Sequence, residues 1–211
     1  MSGLSHINLI TDDPIDLFSS WYENVKTCST ELTNVCCFST ISLDNKPRSR
    51  HVLLREYDKT GFIFMSDNRS RKSKEIAKDN SASVCIYWIY KNEINETIWR
   101  QIRIEGHVEE LARDKVEQIY NDEPLYAKIR SHLCHQDAVV DWNQMKKQHD
   151  ELLKKVEAKE ISLAIPDHFV GYKVVPRWME FYESKDSFIA DRLEFIKNIN
   201  DDTWKNQRLA A

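Results

Sequence analysis

Three basic side chains between positions 50 and 72 are spaced so that together they could hold a phosphate group. Arg50 lies in a strand-like run and shares a face with Val52, so its guanidinium is drawn toward an apolar surface and needs an anionic partner. Arg71 and Lys72 follow the helix cap Ser70 and fall in a first helical turn, where the helix dipole disfavours cations. A phosphate would resolve both costs, because a helix N-terminus offers free N–H groups. A solvated basic face is the alternative interpretation of the same spacing.

The glycines are too few and too scattered to form a glycine-rich nucleotide loop. They are Gly3, Gly61, Gly106 and Gly171. The dinucleotide fingerprint and the Walker A loop both need clustered glycines, because the backbone must approach the phosphates closely. A nucleotide-like cofactor would therefore be held by side chains and a helix end, which favours a mononucleotide flavin in a barrel over a Rossmann dinucleotide site.

Composition indicates one soluble domain over residues 1–211, with flexibility expected for residues 1–11. Hydrophobic residues make up 41% of the chain and charged residues 30%, which is ordinary for a globular protein. A net charge of −4 argues against nucleic acid as the main partner. The sequence has no long apolar run and no signal-peptide pattern, so no membrane partner is expected and a cytoplasmic location is the default.

The five cysteines do not suggest a disulfide framework, because their number is odd and two of them are adjacent. Cys36, Cys37 and Cys85 lie in apolar runs, where a free thiol packs as a small hydrophobe. His132 and His135 could ligate a metal, but no second ligand pair has suitable spacing, so a helix end is favoured and no metal site is expected.

Hydrophobic patterns and turn residues predict many short antiparallel strands with inserted helices. Helices are predicted over residues 13–26, 70–78, 114–120, 125–132 and 141–157. Strands are predicted over residues 34–43, 48–57, 61–66, 83–90, 99–111, 170–175, 179–183, 191–196 and 203–208. This arrangement is typical of an α+β barrel.

Residues 52–72 also resemble the signature of the pyridoxamine 5′-phosphate oxidase family, whose members are flavoproteins that bind FMN. The signature V-L-L-[KR]-x-x-D-x-x-G-F-x-F followed by N-x-S-R-K is matched by VLLREYDKTGFIF and NRSRK. Further resemblances follow in order: DPIDLF at 13–18 with Trp21, RQIRIEG at 100–106, GYKVVP at 171–176, MEF at 179–181, Asp191-Arg192, and Trp204 with RLA at 208–210. Together they cover the chain from about residue 12 to residue 211.

The resemblance implies an α+β fold, the FMN-binding split β-barrel with peripheral helices. It also implies an obligate homodimer with FMN at the subunit interface. The implied FMN contacts are Arg50, His51, Val52, Leu53, Met65, Ser66, Arg71, Lys72, Gln101, Gln136, Asp137, Tyr182 and Arg192.

Several of these contacts differ from the family pattern. Met65-Ser66 stands for a Tyr-Thr pair, Tyr182 stands for a tryptophan, and Gln136-Asp137 stands for a Gln-Ser pair that the other subunit is expected to supply. Asp137 introduces a charge there. For Gln101, a cross-strand pair on the sheet surface is the alternative to a role beside the flavin.

The implied substrate site departs further from the family. The family grips the vitamer phosphate with a lysine after V-L-L, which is Arg55 here, and with a Tyr/Arg/Ser trio. The counterparts of the trio are Ile119, Glu123 and Ala127. Glu123 would repel a phosphate dianion. The family's R-L-H-D-R reads FIADR here, so Phe188 and Ala190 replace the arginine and the histidine that lie over the vitamer ring.

The resemblance therefore implies an FMN-dependent oxidase that acts on a small aromatic compound rather than on the vitamer phosphate, with dioxygen as the electron acceptor. FVGY at 169–172, in place of W-G-G-Y, resembles the branch that serves phenazine biosynthesis, which oxidises a reduced tricyclic acid. An authentic pyridoxamine/pyridoxine 5′-phosphate oxidase with a divergent substrate site and a non-catalytic flavin-binding protein are the alternatives. No residue is singled out as catalytic.

Overall fold

The computed structural model describes residues 3–29, 32–198 and 200–211, and it contains five helices and eight strands within these ranges. The helices are α1 (Pro14–Cys28), α2 (Arg71–Lys78), α3 (Arg113–Asn121), α4 (Leu125–Leu133) and α5 (Trp142–Glu157). The strands are β1 (Val35–Ile41), β2 (Pro47–Asp58), β3 (Gly61–Asp67), β4 (Ser81–Lys91), β5 (Thr97–Glu110), β6 (Phe169–Lys185), β7 (Asp191–Lys197) and β8 (Trp204–Leu209).

All eight strands belong to one antiparallel sheet in the order β3-β2-β1-β4-β5-β6-β7-β8. The amino-terminal part of β6 also pairs with β3, from Phe62 opposite Val174 to Asp67 opposite Phe169, so six strands close into a barrel. The carboxyl-terminal part of β6 pairs instead with β7, which pairs with β8. The α+β barrel predicted from the sequence is confirmed.

The single strand β6 corrects the prediction of two strands separated near Pro176. Gly106 on β5 pairs with Pro176, and the register then shifts so that Arg177 is an extra residue in a β-bulge. A proline donates no backbone hydrogen bond, and a bulge tolerates that loss. A Cβ on Gly106 would come within 2.0 Å of the Val175 carbonyl oxygen, so the close approach of the two strands requires glycine.

Helix α1 forms where the sequence predicts a helix, and it packs on the barrel core. The Asp13 side chain accepts a hydrogen bond from the Ile15 N–H at 2.8 Å, and Pro14 fits the first helical position. Phe18 is fully buried, and its ring meets that of Phe62 edge to face with centroids 4.9 Å apart. These contacts fix α1 against the closed part of the sheet.

The segment before α1 makes defined contacts, although flexibility is expected for residues 1–11. The Ser5 N–H donates to the Ile189 carbonyl, and the Ile189 N–H donates to the Gly3 carbonyl, both at 2.8 Å. Ile7 is buried, and its N–H donates to Asp191 Oδ2 at 2.7 Å. Residues 3–7 therefore lie beside the turn that joins β6 to β7.

Helices α3 and α4 lie beside the amino-terminal part of β6. Tyr120 on α3 is buried, and its ring meets that of Phe169 with centroids 5.0 Å apart. Helix α5 packs against α4 and buries none of its residues fully. In the described ranges, no helix is both long and apolar enough to cross a membrane.

Candidate functional site

A cavity of about 750 Å³ lies between β2, β3, the N-terminus of α2 and the loop that follows α4. This volume is within the range of small-molecule sites in proteins. The predicted site residues that line it are Arg50, His51, Val52, Leu53, Arg55, Met65, Ser66, Arg71, Lys72, Gln136 and Asp137. The structure therefore brings the predicted phosphate-binding cations into one cavity with apolar side chains of β2 and β3.

The N-terminus of α2 brings Arg71 and Lys72 to this cavity. Ser70 caps the helix by accepting a hydrogen bond from the Ser73 N–H at 3.3 Å, as predicted. Lys72 Nζ donates to Ser66 Oγ at 3.0 Å and to Gln136 Oε1 at 2.8 Å. Its ammonium is thus held inside the cavity by neutral acceptors, which an anionic ligand could replace.

The charge of Lys72 is costly in this position. Burial lowers the pKa of its ammonium, and the nearby positive charge of Arg50 lowers it further. Asp137 and Asp67 act in the opposite direction. A phosphate at Lys72 would favour the protonated form, so the cavity gains from an added anion.

The anionic partner of Arg50 is a carboxylate of the protein itself. Arg50 Nη2 lies 2.9 Å from Glu75 Oε2, and Arg50 Nη1 donates to Thr40 Oγ1 at 2.6 Å. The Glu75 side chain is only 1% exposed. Arg50 therefore has an anionic partner, as predicted from the sequence, but this partner is Glu75 on α2 rather than a phosphate. Its guanidinium still lines the cavity, where its charge is partly neutralised.

The loop after α4 brings Gln136 and Asp137 to the cavity of their own chain. Arg69 pairs with Asp67 at 2.7 Å and donates to the Cys134 carbonyl at 3.0 Å, which ties the loop to the start of α2. The Arg71 N–H then donates to Asp137 Oδ2 at 2.5 Å. The expectation that Gln136-Asp137 serves the other subunit is corrected, because both residues bind Lys72 or Arg71 of the same chain.

The remaining predicted site residues lie on a second surface, which we call the β5–β7 row. Gln101 on β5 lies directly opposite Tyr182 on β6, and Tyr182 lies opposite Arg192 on β7. Phe188 and Ala190 lie in the turn that joins β6 to β7. None of these five residues lines the cavity of the same chain.

Arg55 lines the cavity but is engaged internally. Its Nη2 lies 2.8 Å from Glu123 Oε1 and 2.9 Å from Glu123 Oε2. The Glu123 side chain is 3% exposed. The other two residues aligned with the family's phosphate-binding trio, Ile119 and Ala127, are buried and apolar.

Two cations of the cavity, Arg48 on β2 and Arg130 on α4, were not predicted as site residues from the sequence. Ser131 and Cys134 line the cavity beside Arg130. His168 Nε2 donates to the Ser131 carbonyl, 2.7 Å away, and so joins α4 to the start of β6. The helical spacing of Arg130 and Cys134, just before Gln136, is the signal that could have indicated this face of α4.

The cavity is chemically suited to a phosphorylated, flat molecule. At one end lie the α2 N-terminus, Lys72 and the exposed Arg71, which suit a phosphate. Along β2 and β3 lie Val52, Leu53 and Met65, which suit an apolar ring. No cluster of metal-ligating side chains is found among the residues that the structure describes.

Two family models match the chain. Residues 23–163 match the model described as pyridoxamine 5′-phosphate oxidase, and residues 169–211 match the model described as pyridoxine 5′-phosphate oxidase C-terminal dimerisation region. A Caenorhabditis elegans relative is 32% identical over 207 residues, which are 96% of this chain and 88% of that protein. The Bos taurus pyridoxine-5′-phosphate oxidase is 30% identical over 194 residues, which are 91% of this chain and 71% of that protein.

Solved structures share the fold. PhzG from Burkholderia lata, in complex with tetrahydrophenazine-1-carboxylic acid, has a TM-score of 0.85 and 24% identity, covering 99% of this chain and 100% of that chain. A pyridoxamine 5′-phosphate oxidase-related, FMN-binding protein from Nostoc punctiforme has a TM-score of 0.71 and 13% identity, covering 93% and 96%. At these identities the likeness shows the split-barrel fold.

Proposed function

The chain belongs to the pyridoxamine 5′-phosphate oxidase family, and we propose that it oxidises a small reduced aromatic compound, such as a reduced phenazine precursor, rather than a phosphorylated vitamer. FMN is its cofactor and, when bound, supplies the hydride-accepting ring. The protein's part is to hold the cofactor, orient the substrate over the ring and exclude water. Dioxygen is the proposed electron acceptor.

The cavity supplies the groups that would hold FMN. Lys72, Arg71 and the N-terminus of α2 would bind the phosphate. Gln136 Oε1, which accepts a hydrogen bond from Lys72 Nζ, would keep this contact or accept from a new donor. Val52, Leu53 and Met65 would line the ring. Arg50 would add positive charge to the site, and its guanidinium would stay in place because it is paired with Glu75.

We propose that the β5–β7 row of one subunit completes the cavity of its partner. Gln101, Tyr182 and Arg192 stand at implied FMN positions but do not line the cavity of their own chain. Tyr182 and Arg192, with Phe188 and Ala190, fall within residues 169–211, which match the dimerisation region. A homodimer in which the row of one subunit meets the cavity of the other would explain why the cavity residues and the row residues are apart in one chain. It would also explain why residues 169–211 match a dimerisation region.

The observation that carries the choice of substrate is the ion pair between Arg55 and Glu123. A phosphate dianion at Arg55 would have to displace a carboxylate that is only 3% exposed, and would then lie beside that carboxylate. The cost of an unpaired buried charge makes this exchange unfavourable. Phe188 is 38% exposed and offers an apolar surface instead of a cation. The ligand in the Burkholderia lata structure is a reduced aromatic carboxylic acid of the proposed class.

Equilibrium binding to the FMN-loaded protein tests this choice. Pyridoxal 5′-phosphate and phenazine-1-carboxylic acid, an unreactive aromatic acid, would be titrated separately while the flavin absorbance is followed. We expect the phenazine acid to bind at least about tenfold more tightly, since the phosphate must compete with Glu123 for Arg55. Tighter binding of the phosphorylated vitamer would overturn the proposal.

A vitamer oxidase is the second candidate, and the names of the relatives favour it. The Bos taurus protein and a Trichormus variabilis protein that is 28% identical over the whole of this chain are both pyridoxine 5′-phosphate oxidases. For this function Arg55 would have to leave Glu123 when substrate binds. The same titration distinguishes the two candidates, because a released Arg55 would bind phosphate strongly.

A further inference from the structure

The position at which an anion would bind the N-terminus of α2 is held by Asp137. Its Oδ2 accepts the Arg71 N–H at 2.5 Å. The N–H of Ser73 is already capped by Ser70. A carboxylate at a helix N-terminus is stabilised by the helix dipole and by the free N–H groups, as a phosphate would be. Asp137 therefore occupies the position that the cofactor phosphate requires, and the carboxylate and the phosphate are both negatively charged.

The surroundings of Asp137 leave its carboxylate free to move. Asp137 is exposed and follows Gln136 in the loop between α4 and α5. Its backbone is in the left-handed region, with φ of 68°, which aspartate and asparagine tolerate better than most residues. The guanidinium groups of Arg71 and Arg130 both line the cavity, and within the described ranges neither forms an ion pair. When the Asp137 carboxylate is displaced from the Arg71 N–H, water and these two guanidinium groups can therefore stabilise its charge.

We propose that Asp137 determines how tightly this chain binds the cofactor phosphate, by holding the helix N-terminus until FMN displaces it. Binding FMN then costs the Asp137 hydrogen bond to Arg71, and it brings a phosphate dianion beside a carboxylate. A flavin without the phosphate makes neither demand. Asp137 would therefore lower the affinity for FMN and leave the affinity for riboflavin unchanged. The inference rests on the proposed phosphate site at Arg71 and Lys72.

Replacing Asp137 by asparagine tests the charge alone. Asparagine has nearly the same shape, tolerates the left-handed backbone and can still accept the Arg71 N–H. A second variant, Asp137→Gly, removes both the charge and the acceptor while suiting the same backbone. Glu93→Gln is the matched control, because Glu93 is an exposed acid in the β4–β5 turn and does not line the cavity. The dissociation constants of FMN and riboflavin would be measured for each purified apoprotein by flavin fluorescence.

We expect both Asp137 variants to bind FMN at least about tenfold more tightly than the wild type does, while their affinity for riboflavin stays unchanged. The Glu93→Gln variant should bind both flavins as the wild type does. Unchanged FMN affinity in the two Asp137 variants would overturn the inference, as would an equal gain for riboflavin. A Lys72→Ala variant measured alongside separates the two claims. If it weakens FMN while the Asp137 variants have no effect, only the inference fails. If it also has no effect on FMN, the phosphate site itself is wrong.

Discussion

Arg55 and Glu123 are 68 residues apart in the chain, and their side chains form an ion pair at 2.8 Å on the edge of the cavity. Arg55 is 22% exposed and Glu123 is 3% exposed, so the pair is largely shielded from water. A cation that the family resemblance assigns to a substrate phosphate is therefore already neutralised within the protein. Under the proposed function, this contact disfavours a phosphorylated vitamer as the substrate.

Removing the Glu123 charge should release Arg55. We expect Glu123→Gln to lower KM for pyridoxine 5′-phosphate by about tenfold, because a freed guanidinium favours a dianion. The change should act mainly on KM rather than kcat, since Arg55 would bind a part of the substrate remote from the reacting atoms. Steady-state kinetics of the FMN-loaded variant would measure both parameters.

The same substitution should destabilise the fold by about 1–3 kcal/mol, because Arg55 loses its partner but remains partly hydrated. Glu56→Gln is a suitable control, since Glu56 pairs with Lys115 at the surface. A KM for the vitamer that does not change in Glu123→Gln would show that Arg55 does not face the substrate.

Arg71 and Lys72 are expected to carry the phosphate of FMN. Replacing both by alanine should weaken FMN binding by about 3 kcal/mol or more, since charge-assisted contacts to the phosphate are lost. The fold should survive, because Ser70 Oγ can still accept the Ser73 N–H that caps α2 when its contact with Lys72 Nζ is lost. FMN titration with circular dichroism as the folding control would measure this, and undiminished FMN affinity would remove the basis of the site.

The lowered pKa of Lys72 predicts a pH dependence of FMN binding. Burial and the charge of Arg50 hold this pKa below its ordinary value of 10.5, and a bound phosphate would raise it again. FMN affinity should therefore be highest where Lys72 is protonated and the phosphate is a dianion, and it should fall as the pH rises through the pKa of Lys72 in the cofactor-free protein. Riboflavin should show no such fall.

Lys72→Arg provides the control for this pH dependence, because a guanidinium stays protonated over the whole range. The ratio of the FMN and riboflavin dissociation constants would be measured from pH 7 up to 10.5, the ordinary pKa of a lysine, so that ionisation of the flavin ring cancels. The ratio should change with pH in the wild type and stay nearly flat in Lys72→Arg. Identical pH profiles for the two proteins would exclude Lys72 as the titrating group.

Local patterns in the sequence predict most of the secondary structure, while long-range partners are found only in the folded chain. Ser70 and Asp13 cap helices where their side-chain chemistry indicates. The identity of the anion beside Arg50 could not be predicted, because Glu75 meets it only when α2 packs against β1 and β2. The continuity of β6 depends on a bulge, which alternation of apolar residues does not indicate.

The candidate site was predictable as a set of residues but not as two surfaces. The resemblance named both the cavity residues and the β5–β7 row, without showing that they are apart in one chain. The path of the loop that carries Gln136 depends on the contact between Arg69 and the Cys134 carbonyl. That contact joins residues 65 positions apart, so the assignment of Gln136-Asp137 to one subunit or the other could not come from local sequence.

Mixed dimers test whether the β5–β7 row completes the partner's cavity. Lys72→Ala disables the cavity, and Arg192→Ala disables the row, so each variant alone should lose about tenfold or more in FMN affinity. In a mixed dimer, the intact cavity of one subunit meets the intact row of the other. Each mixed dimer should therefore regain about one wild-type site.

Two differently tagged subunits would allow purification of the mixed dimer, and its FMN stoichiometry would be measured by titration. Dimers of each variant alone are the controls. If row and cavity belonged to the same subunit, both sites of the mixed dimer would be defective and no tight site would be regained.

The substrate preference is tested most directly by comparing turnover of two substrates by one FMN-loaded preparation in air. Oxygen consumption would be followed with pyridoxine 5′-phosphate and with a reduced phenazine carboxylic acid, after subtracting the rate without protein. We expect kcat/KM for the phenazine compound to exceed that for the vitamer by about a hundredfold or more, because Glu123 holds Arg55 and Phe188 offers no charge. Oxidation of pyridoxine 5′-phosphate with kcat/KM above about 10⁴ M⁻¹ s⁻¹, and no turnover of the phenazine compound, would contradict the proposed function.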